Sequence, residues 1–243
     1  MELLGKTVLV TGGGKRVGRA IALAAARRGA SVAVHYHQSA EDARATAAEC
    51  RLLGGRSVEV QASLADPGEV QRMVATAAAA LGGLDAVVNN ASVFYRTPVE
   101  QVRDEDWQQM LGTNLLAPWW VIQAALPHFH QAGGGKVVNI ADWAALRPYS
   151  GYLPYVVSKG ALITMTKALA KELAPAVTVN AVLPGPMLPP PDMEPAQAER
   201  IAARVPLGRW GSPEDVAAAV MFFLAETNYA TGSLLAVDGG SLL

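Results

Sequence analysis

The chain has 243 residues, 51% hydrophobic and 17% charged, with a formal net charge of -1 at pH 7, enough for one domain with a large core. The charge balance lacks the basic footprint of a nucleic-acid binder, and no apolar run reaches the length of a bilayer span. The single Cys50 reads as a packed thiol, and residues 1–6 lead into no signal-peptide core, so the expectation is a soluble cytoplasmic protein.

The apolar run 7–10 predicts a buried strand. It feeds Thr11-Gly12-Gly13-Gly14-Lys15-Arg16-Val17-Gly18, and an alanine-rich helical pattern over 19–28 follows. Strand, glycine turn and helix in this order bring free backbone N–H groups and a helix dipole against an anion such as a pyrophosphate. The spacing is Thr-Gly-x-x-x-Arg-x-Gly rather than GxGxxG, and such a turn also serves as a plain connection. Further strands are expected at 31–37, 57–61, 86–89, 136–140, 177–182 and 234–237. Helices are expected from Ser39 as cap to about Leu53, from Asp66-Pro67 to about Gly82, from Asp104 to about Pro127, and over 152–173. This alternation predicts an α/β fold: a doubly wound, mostly parallel seven-stranded sheet with helices on both faces, Rossmann-like, in a single domain over 1–243.

Ligands in such sheets sit beyond the C-terminal strand ends, where the strand order reverses. The glycine turn, His37-Gln38-Ser39, Asn89-Asn90-Ala91-Ser92 and Ala141-Asp142 all fall there. A carboxylate at the end of the second strand would bond ribose hydroxyls and repel a 2′-phosphate. This chain has Tyr36, His37, Gln38 and Ser39, with Lys15 in the glycine turn and Glu41 and Asp42 on the exposed face of the next helix. Hydroxyl, amide and basic donors suit a phosphate, which favours NADPH over NADH. Tyr155 and Lys159 stand one helical turn apart on one face. A neighbouring ammonium and an oxidised nicotinamide pull a phenol's pKa down from about 10, which fits Tyr155 as proton donor in a hydride transfer. A core tyrosine with a surface lysine gives the same spacing.

Thr11 to Gly18, Asn89-Asn90-Ala91, Asn114, Tyr155 with Lys159, Pro184-Gly185 and Val237-Asp238-Gly239-Gly240 together resemble the short-chain dehydrogenase/reductase family over essentially the whole chain. The resemblance implies hydride transfer with NAD(P)H, a tyrosine acid or base, a lysine holding the nicotinamide ribose, and Asn114 in a water-linked proton path. It also implies a homotetramer or homodimer through helices over 107–126 and 152–173. The cofactor contacts it implies are Gly12, Gly14, Lys15, Arg16, Val17 and Gly18; Tyr36, His37, Gln38 and Ser39; Ser63 and Leu64; Asn90, Ala91 and Ser92; Tyr155 and Lys159; and Pro184, Gly185 and Met187.

The family usually carries a serine thirteen residues before the tyrosine, and here that position is Asp142. An ionised carboxylate repels a developing oxyanion but stabilises a protonated C=N group or carries a proton to nitrogen. The pteridine reductase subgroup shares this aspartate. The 35–40 and 90–95 stretches also resemble that subgroup, which implies a flat ring stacked between nicotinamide and Phe94. Substrate contacts implied are Arg16, Ser92, Phe94, Asp142, Tyr155, Pro186 and Leu188. Gln38 stands where some members have arginine. The proline-rich 184–205 segment is expected to cover the substrate, with a plain rigid connector as the alternative. Trp119, Trp120 and Trp143 read as core or subunit contacts, with Trp143 also able to border the pocket. His128 and His130 have no partners at ligand spacing, so no metal is expected. The reading is an NADPH-dependent reductase of a pterin or dihydrofolate-like C=N bond. A 3-oxoacyl-carrier-protein-type carbonyl reductase and a non-catalytic nucleotide sensor are the alternatives.

Overall fold

Thr7–Val10 (β1) is buried at every position. An apolar run reads this way when a strand has neighbours on both edges and helices on both faces. In the computed structural model, which describes residues 1–189 and 193–243, β1 pairs in parallel with Ser31–Tyr36 (β2) on one side and Ala86–Asn89 (β4) on the other. Ser57–Gln61 (β3) lies outside β2. Gly135–Ile140 (β5), Val177–Pro184 (β6) and Leu234–Val237 (β7) extend the other wing, giving the order β3-β2-β1-β4-β5-β6-β7. All pairings are parallel, and the strand order reverses between β1 and β4.

The two-residue period of a strand sorts the core into layers. Val8 and Val10 face a layer holding Arg16–Ala26 (α1), Ala40–Leu52 (α2) and Pro213–Met221 (α8). Leu9 faces the opposite layer, where Pro67–Leu81 (α3) and Ala117–Gln131 (α5) pack. Leu153–Glu172 (α6) sets Leu162 and Ile163 against Ala181 and Leu183 of β6. Cys50 is packed in the first layer, and burial pushes its thiol up to about 11. Asp66 starts α3 as expected: its side chain accepts from Gly68 and Glu69 N–H at 2.7 and 3.2 Å, and Pro67 needs no donor there.

Several sequence expectations need correction. α1 begins at Arg16, inside the glycine motif, rather than at 19. The segment from Asp104 is not one helix: Asp104–Leu111 (α4) passes through a π-helical turn, Gly112–Leu116, into α5. α5 continues past Pro127 to Gln131, because that proline sits on the exposed side and its ring removes only one ladder donor. Among the described residues two α-helices lie between β6 and β7, where the sequence reading placed none. Pro195–Ala202 (α7) falls inside the expected covering loop. α8 is opened by a capping box in which Ser212 Oγ accepts from Asp215 N–H and Asp215 Oδ2 accepts from Ser212 N–H. Of the proline run, Pro190 and Pro191, with Asp192 after them, lie outside the described residues. Among the described residues no helix is long and apolar enough to cross a membrane.

Candidate active site

The reversal of strand order is held by side chains at its two strand ends. Thr11 Oγ1 accepts from the N–H groups of Asn90 (2.9 Å) and Ala91 (3.0 Å), and Asn90 Nδ2 donates to the carbonyls of Thr11 (2.9 Å) and Gly12 (3.1 Å). Gly12 is left-handed at φ +61°, and a Cβ at Gly18 would run into the Gly12 carbonyl and the Asn90 amide. α1 then starts with no side-chain cap and no acidic residue in its first turn, in contrast to α3 and α8. Its first N–H groups are thus left for an anion, and the close Gly12–Gly18 approach keeps Cβ atoms out of the way. The cradle fits a dinucleotide pyrophosphate.

Toward the 2′-position, Tyr36 is half-buried and His37 and Gln38 are exposed, with no carboxylate at the strand end. His37 Nδ1 lies 3.2 Å from the Ala62 carbonyl. Two details differ from expectation. Ser39 stands at the N-cap of α2 but makes no side-chain capping bond. Lys15 is not free, because its ammonium pairs with Asp42 at 2.9 Å. Ser63 donates its N–H to Glu69 Oε2 (2.6 Å), and Leu64 is buried beside it.

At the other end, the π-helical turn delivers Asn114 into the interior, as such bulges do at functional positions. Its Oδ1 accepts from Ser92 Oγ (3.1 Å) and Val93 N–H (2.9 Å). Its Nδ2 donates to the Val93 carbonyl and to Ser158 Oγ, both at 3.1 Å. The side chain expected in a proton path therefore clamps the 92–93 segment to α6. Behind it runs a buried ladder that sequence reasoning missed: Asn89 Nδ2 donates to Asn139 Oδ1, and Asn139 Nδ2 to Thr166 Oγ1, each at 2.9 Å.

Asp142, Tyr155 and Lys159 come together. The Tyr155 hydroxyl donates to Asp142 Oδ2 at 2.6 Å, while Asp142 Oδ1 accepts from Ala144 N–H at 2.8 Å. Lys159 is buried, with Nζ 5.8 Å from the Tyr155 ring centroid, and donates to the Ile140 carbonyl at 2.9 Å. Burial raises Asp142 from the usual carboxylate value and lowers Lys159 to about 8. Burial first, then the Asp142 charge, push the Tyr155 hydroxyl well above its ordinary value. The direction is opposite to the pull expected from Lys159, because the lysine reaches a carbonyl and the aspartate reaches the phenol.

Phe94 is 54% exposed, so it is not core filler. It stacks on Tyr152 (centroids 4.7 Å, planes 5° apart) and meets Tyr155 edge-on at 4.7 Å. Tyr149 packs edge-on against Tyr152 at 5.2 Å and lies 5.8 Å from Trp143, so Trp143 borders this aromatic wall. Tyr149 and Tyr152 were not among the expected site residues; an aromatic-rich stretch just before Tyr155 was their only signal. Trp119 and Trp120 are half-buried on α5.

Arg16 differs from expectation. Its guanidinium bonds the carbonyls of Leu188 (2.8 Å) and Met187 (3.4 Å), so it holds the segment expected to cover the substrate and not an open anion site. That segment is anchored further by Gly185 N–H to the Val237 carbonyl (2.9 Å) and Gly211 N–H to the Pro186 carbonyl (2.9 Å). Grooves of about 540 Å³, between α3 and α5, and about 510 Å³, between Pro186–Met187 and the 236–240 segment, reach neither Asp142 nor Tyr155. The chemistry, not either of these hollows, marks the site. Among the described residues no three His, Cys, Asp or Glu side chains gather as a metal site.

A family model described as Enoyl-(Acyl carrier protein) reductase matches residues 14–241. The chain is 35% identical to a 3-oxoacyl-[acyl-carrier-protein] reductase of Synechocystis sp., over 99% of this chain and 98% of that one. Its fold matches a short-chain dehydrogenase from Burkholderia cenocepacia in complex with NADP at a TM-score of 0.93, with 38% identity and full coverage of both chains. It matches FolM alternative dihydrofolate reductase 1 from Brucella canis, complexed with NADP, at a TM-score of 0.93. Identity there is 33%, over 99% of this chain and 95% of that one.

Proposed function

The chain belongs to the short-chain dehydrogenase/reductase family as an NADP-dependent oxidoreductase, and from that premise we propose that it reduces a C=N bond of a pterin or dihydrofolate-like ring. The observation that carries this reading is the Asp142 carboxylate 2.6 Å from the Tyr155 hydroxyl, where a ketone reductase wants a neutral donor. The carboxylate that Asp142 becomes as its proton moves opposes the alkoxide character of ketone reduction, whereas a C=N nitrogen taking up a proton carries positive charge that the same carboxylate stabilises.

NADPH held at the glycine turn would supply the hydride when bound. The proton then has a route that never requires a free phenolate. Asp142, raised by burial, takes a proton closer to neutrality than an ordinary aspartate. The Tyr155 hydroxyl gives its proton to the ring nitrogen while the Asp142 carboxyl replaces it, leaving a neutral phenol and an ionised carboxylate. A solvent proton resets the pair. Lys159 offsets that carboxylate with its own buried charge. Phe94, backed by Tyr152, offers a flat face for a heteroaromatic ring, and the Brucella canis dihydrofolate reductase neighbour supports this substrate class.

The likeness to the Synechocystis enzyme favours a second reading, reduction of a 3-oxoacyl thioester. NADPH oxidation by purified protein separates the two, with dihydrobiopterin and dihydrofolate offered beside an acetoacetyl thioester. The expected outcome is turnover of the pterins at least about tenfold above the thioester, a difference of about 1.4 kcal/mol in barrier. Asp142→Ser lowers pterin turnover and raises that of the thioester. The reverse preference in the unaltered protein overturns the proposal and leaves the fold and cofactor as they stand.

A further inference from the structure

β2 carries one polar side chain in its buried interior, His35, 2% exposed among Val32, Ala33 and Val34. An imidazole at that depth is costly unless both nitrogens are bonded. Both are. Nδ1 lies 3.0 Å from the Gly12 N–H, which can only donate, so Nδ1 is the bare acceptor. Nε2 therefore bears the hydrogen, and it donates to the Ala62 carbonyl at 3.2 Å.

We infer that His35 is a positioning residue for the dinucleotide: one neutral imidazole ties the glycine turn to the end of β3 and fixes the cradle in which the pyrophosphate lies. The inference holds whichever substrate is reduced. Gly12 is gripped from two sides, its N–H by His35 and its carbonyl by Asn90 Nδ2 at 3.1 Å. The neighbouring Gly13 donates to the His35 carbonyl at 2.9 Å, so the side chain and backbone of one residue hold two successive turn amides. At the far side, the Ala62 carbonyl that takes the Nε2 hydrogen also takes His37 Nδ1, and the Ala62 N–H donates to the Tyr36 carbonyl. The ring thus joins the glycine turn to Ala62, and Ala62 in turn holds His37 of the next segment expected to contact cofactor.

Burial holds His35 down to about 4. The groups packed on it from the glycine turn and from the end of β3 are Gly12, Gly13 and Ala62, which carry no charge, and His37 is the titratable neighbour. A proton on Nδ1 turns the acceptor into a second donor facing the Gly12 N–H and breaks the tie.

Two variants divide the two bonds. Asn places Oδ1 near the Nδ1 position and keeps an acceptor for Gly12, whereas Gln reaches Ala62 and leaves Gly12 without its partner. Binding of NADPH and of NADH is read by the fluorescence of the bound nicotinamide, beside a thermal melt of each apoprotein. His35→Gln is expected to weaken both cofactors by about tenfold, the worth of one hydrogen bond to a positioned amide, with their ratio unchanged. His35→Asn stays within about threefold of the unaltered protein despite a comparable loss of melting temperature. Equal affinities in all three proteins, or losses that follow melting temperature in both variants, overturn the inference. Should neither variant fold, NADH affinity of the unaltered protein is titrated from pH 7 to 4 while circular dichroism reports the folded state. NADH lacks the 2′-phosphate, so His37 pairing does not enter. Weakening as pH falls toward 4 is the expected result, and a flat profile overturns it.

Discussion

At the glycine turn the shape is set by the main chain, which other parts of the sheet hold in place while the first N–H groups of α1 stay open to an anion. Thr11, Gly12 and Gly13 are all bonded to β2 or to the segment after β4. At the Asp142–Tyr155 end the groups are side chains on an open wall, with Phe94 leaning on Tyr152 and Arg16 tied to the Leu188 carbonyl. The first region tolerates change in identity poorly because its shape is main-chain geometry. The second changes its specificity by single side chains, as Asp142 shows. A shared cofactor and divergent substrates within one fold follow from that division.

The comparison breaks first at Tyr155. Tyr155→Phe should cut turnover by about a thousandfold, the worth of a placed proton donor, and leave NADPH affinity within about twofold. A comparable loss of NADPH binding would show that the two regions are not separable. His35 sets a pH window at the cofactor end. Its folded value of about 4 lies below the ordinary 6.5, so the unfolded chain binds the extra proton. Stability from this group is full above 6.5 and is lost as pH falls toward 4, by roughly 3 kcal/mol at most. Equilibrium unfolding in urea at pH 7, 5.5 and 4.5 measures it, and His35→Gln should flatten that part of the profile. Gly18→Ala forces a Cβ into the Gly12 carbonyl and should weaken NADPH by about a hundredfold, within the range of a strained backbone position. Phe94→Ala is the mildest: KM for the pterin rises about tenfold, with NADPH affinity untouched, since one stacking face is lost.

The strands were legible because each is a short apolar run between turn residues, and β3, β4 and β7 fall where the sequence places them. The break inside the helix after Asp104 was not, because a π-helical turn is one extra residue per turn and leaves the apolar pattern nearly intact. α8 could have been read from Ser212-Pro213-Glu214-Asp215, a capping box with proline at its first helical position. Within the site, Tyr155 and Lys159 were singled out by type and spacing, and Asn90 by its place at a strand end. What they bond was not, since Lys159 choosing a carbonyl and Tyr155 choosing Asp142 depend on reach across three separate elements. His35 escaped for a plainer reason. One polar residue in an apolar strand carries no periodic signal, and its two partners lie 23 and 27 residues away.

The bonds from Asn90 and Ala91 to Thr11 join residues 79 and 80 positions apart, and β1 has β4 as its second neighbour. During synthesis the first three strands leave the ribosome before that neighbour exists. At the usual 5–20 residues per second, the nascent chain carries the bare edge of β1 for roughly 4–16 s. A bare edge of parallel strand invites pairing with other chains, the kind of surface chaperones cover. The glycine turn is therefore half-built from β2 alone and gains its last ties only once Asn90 and Ala91 are in place.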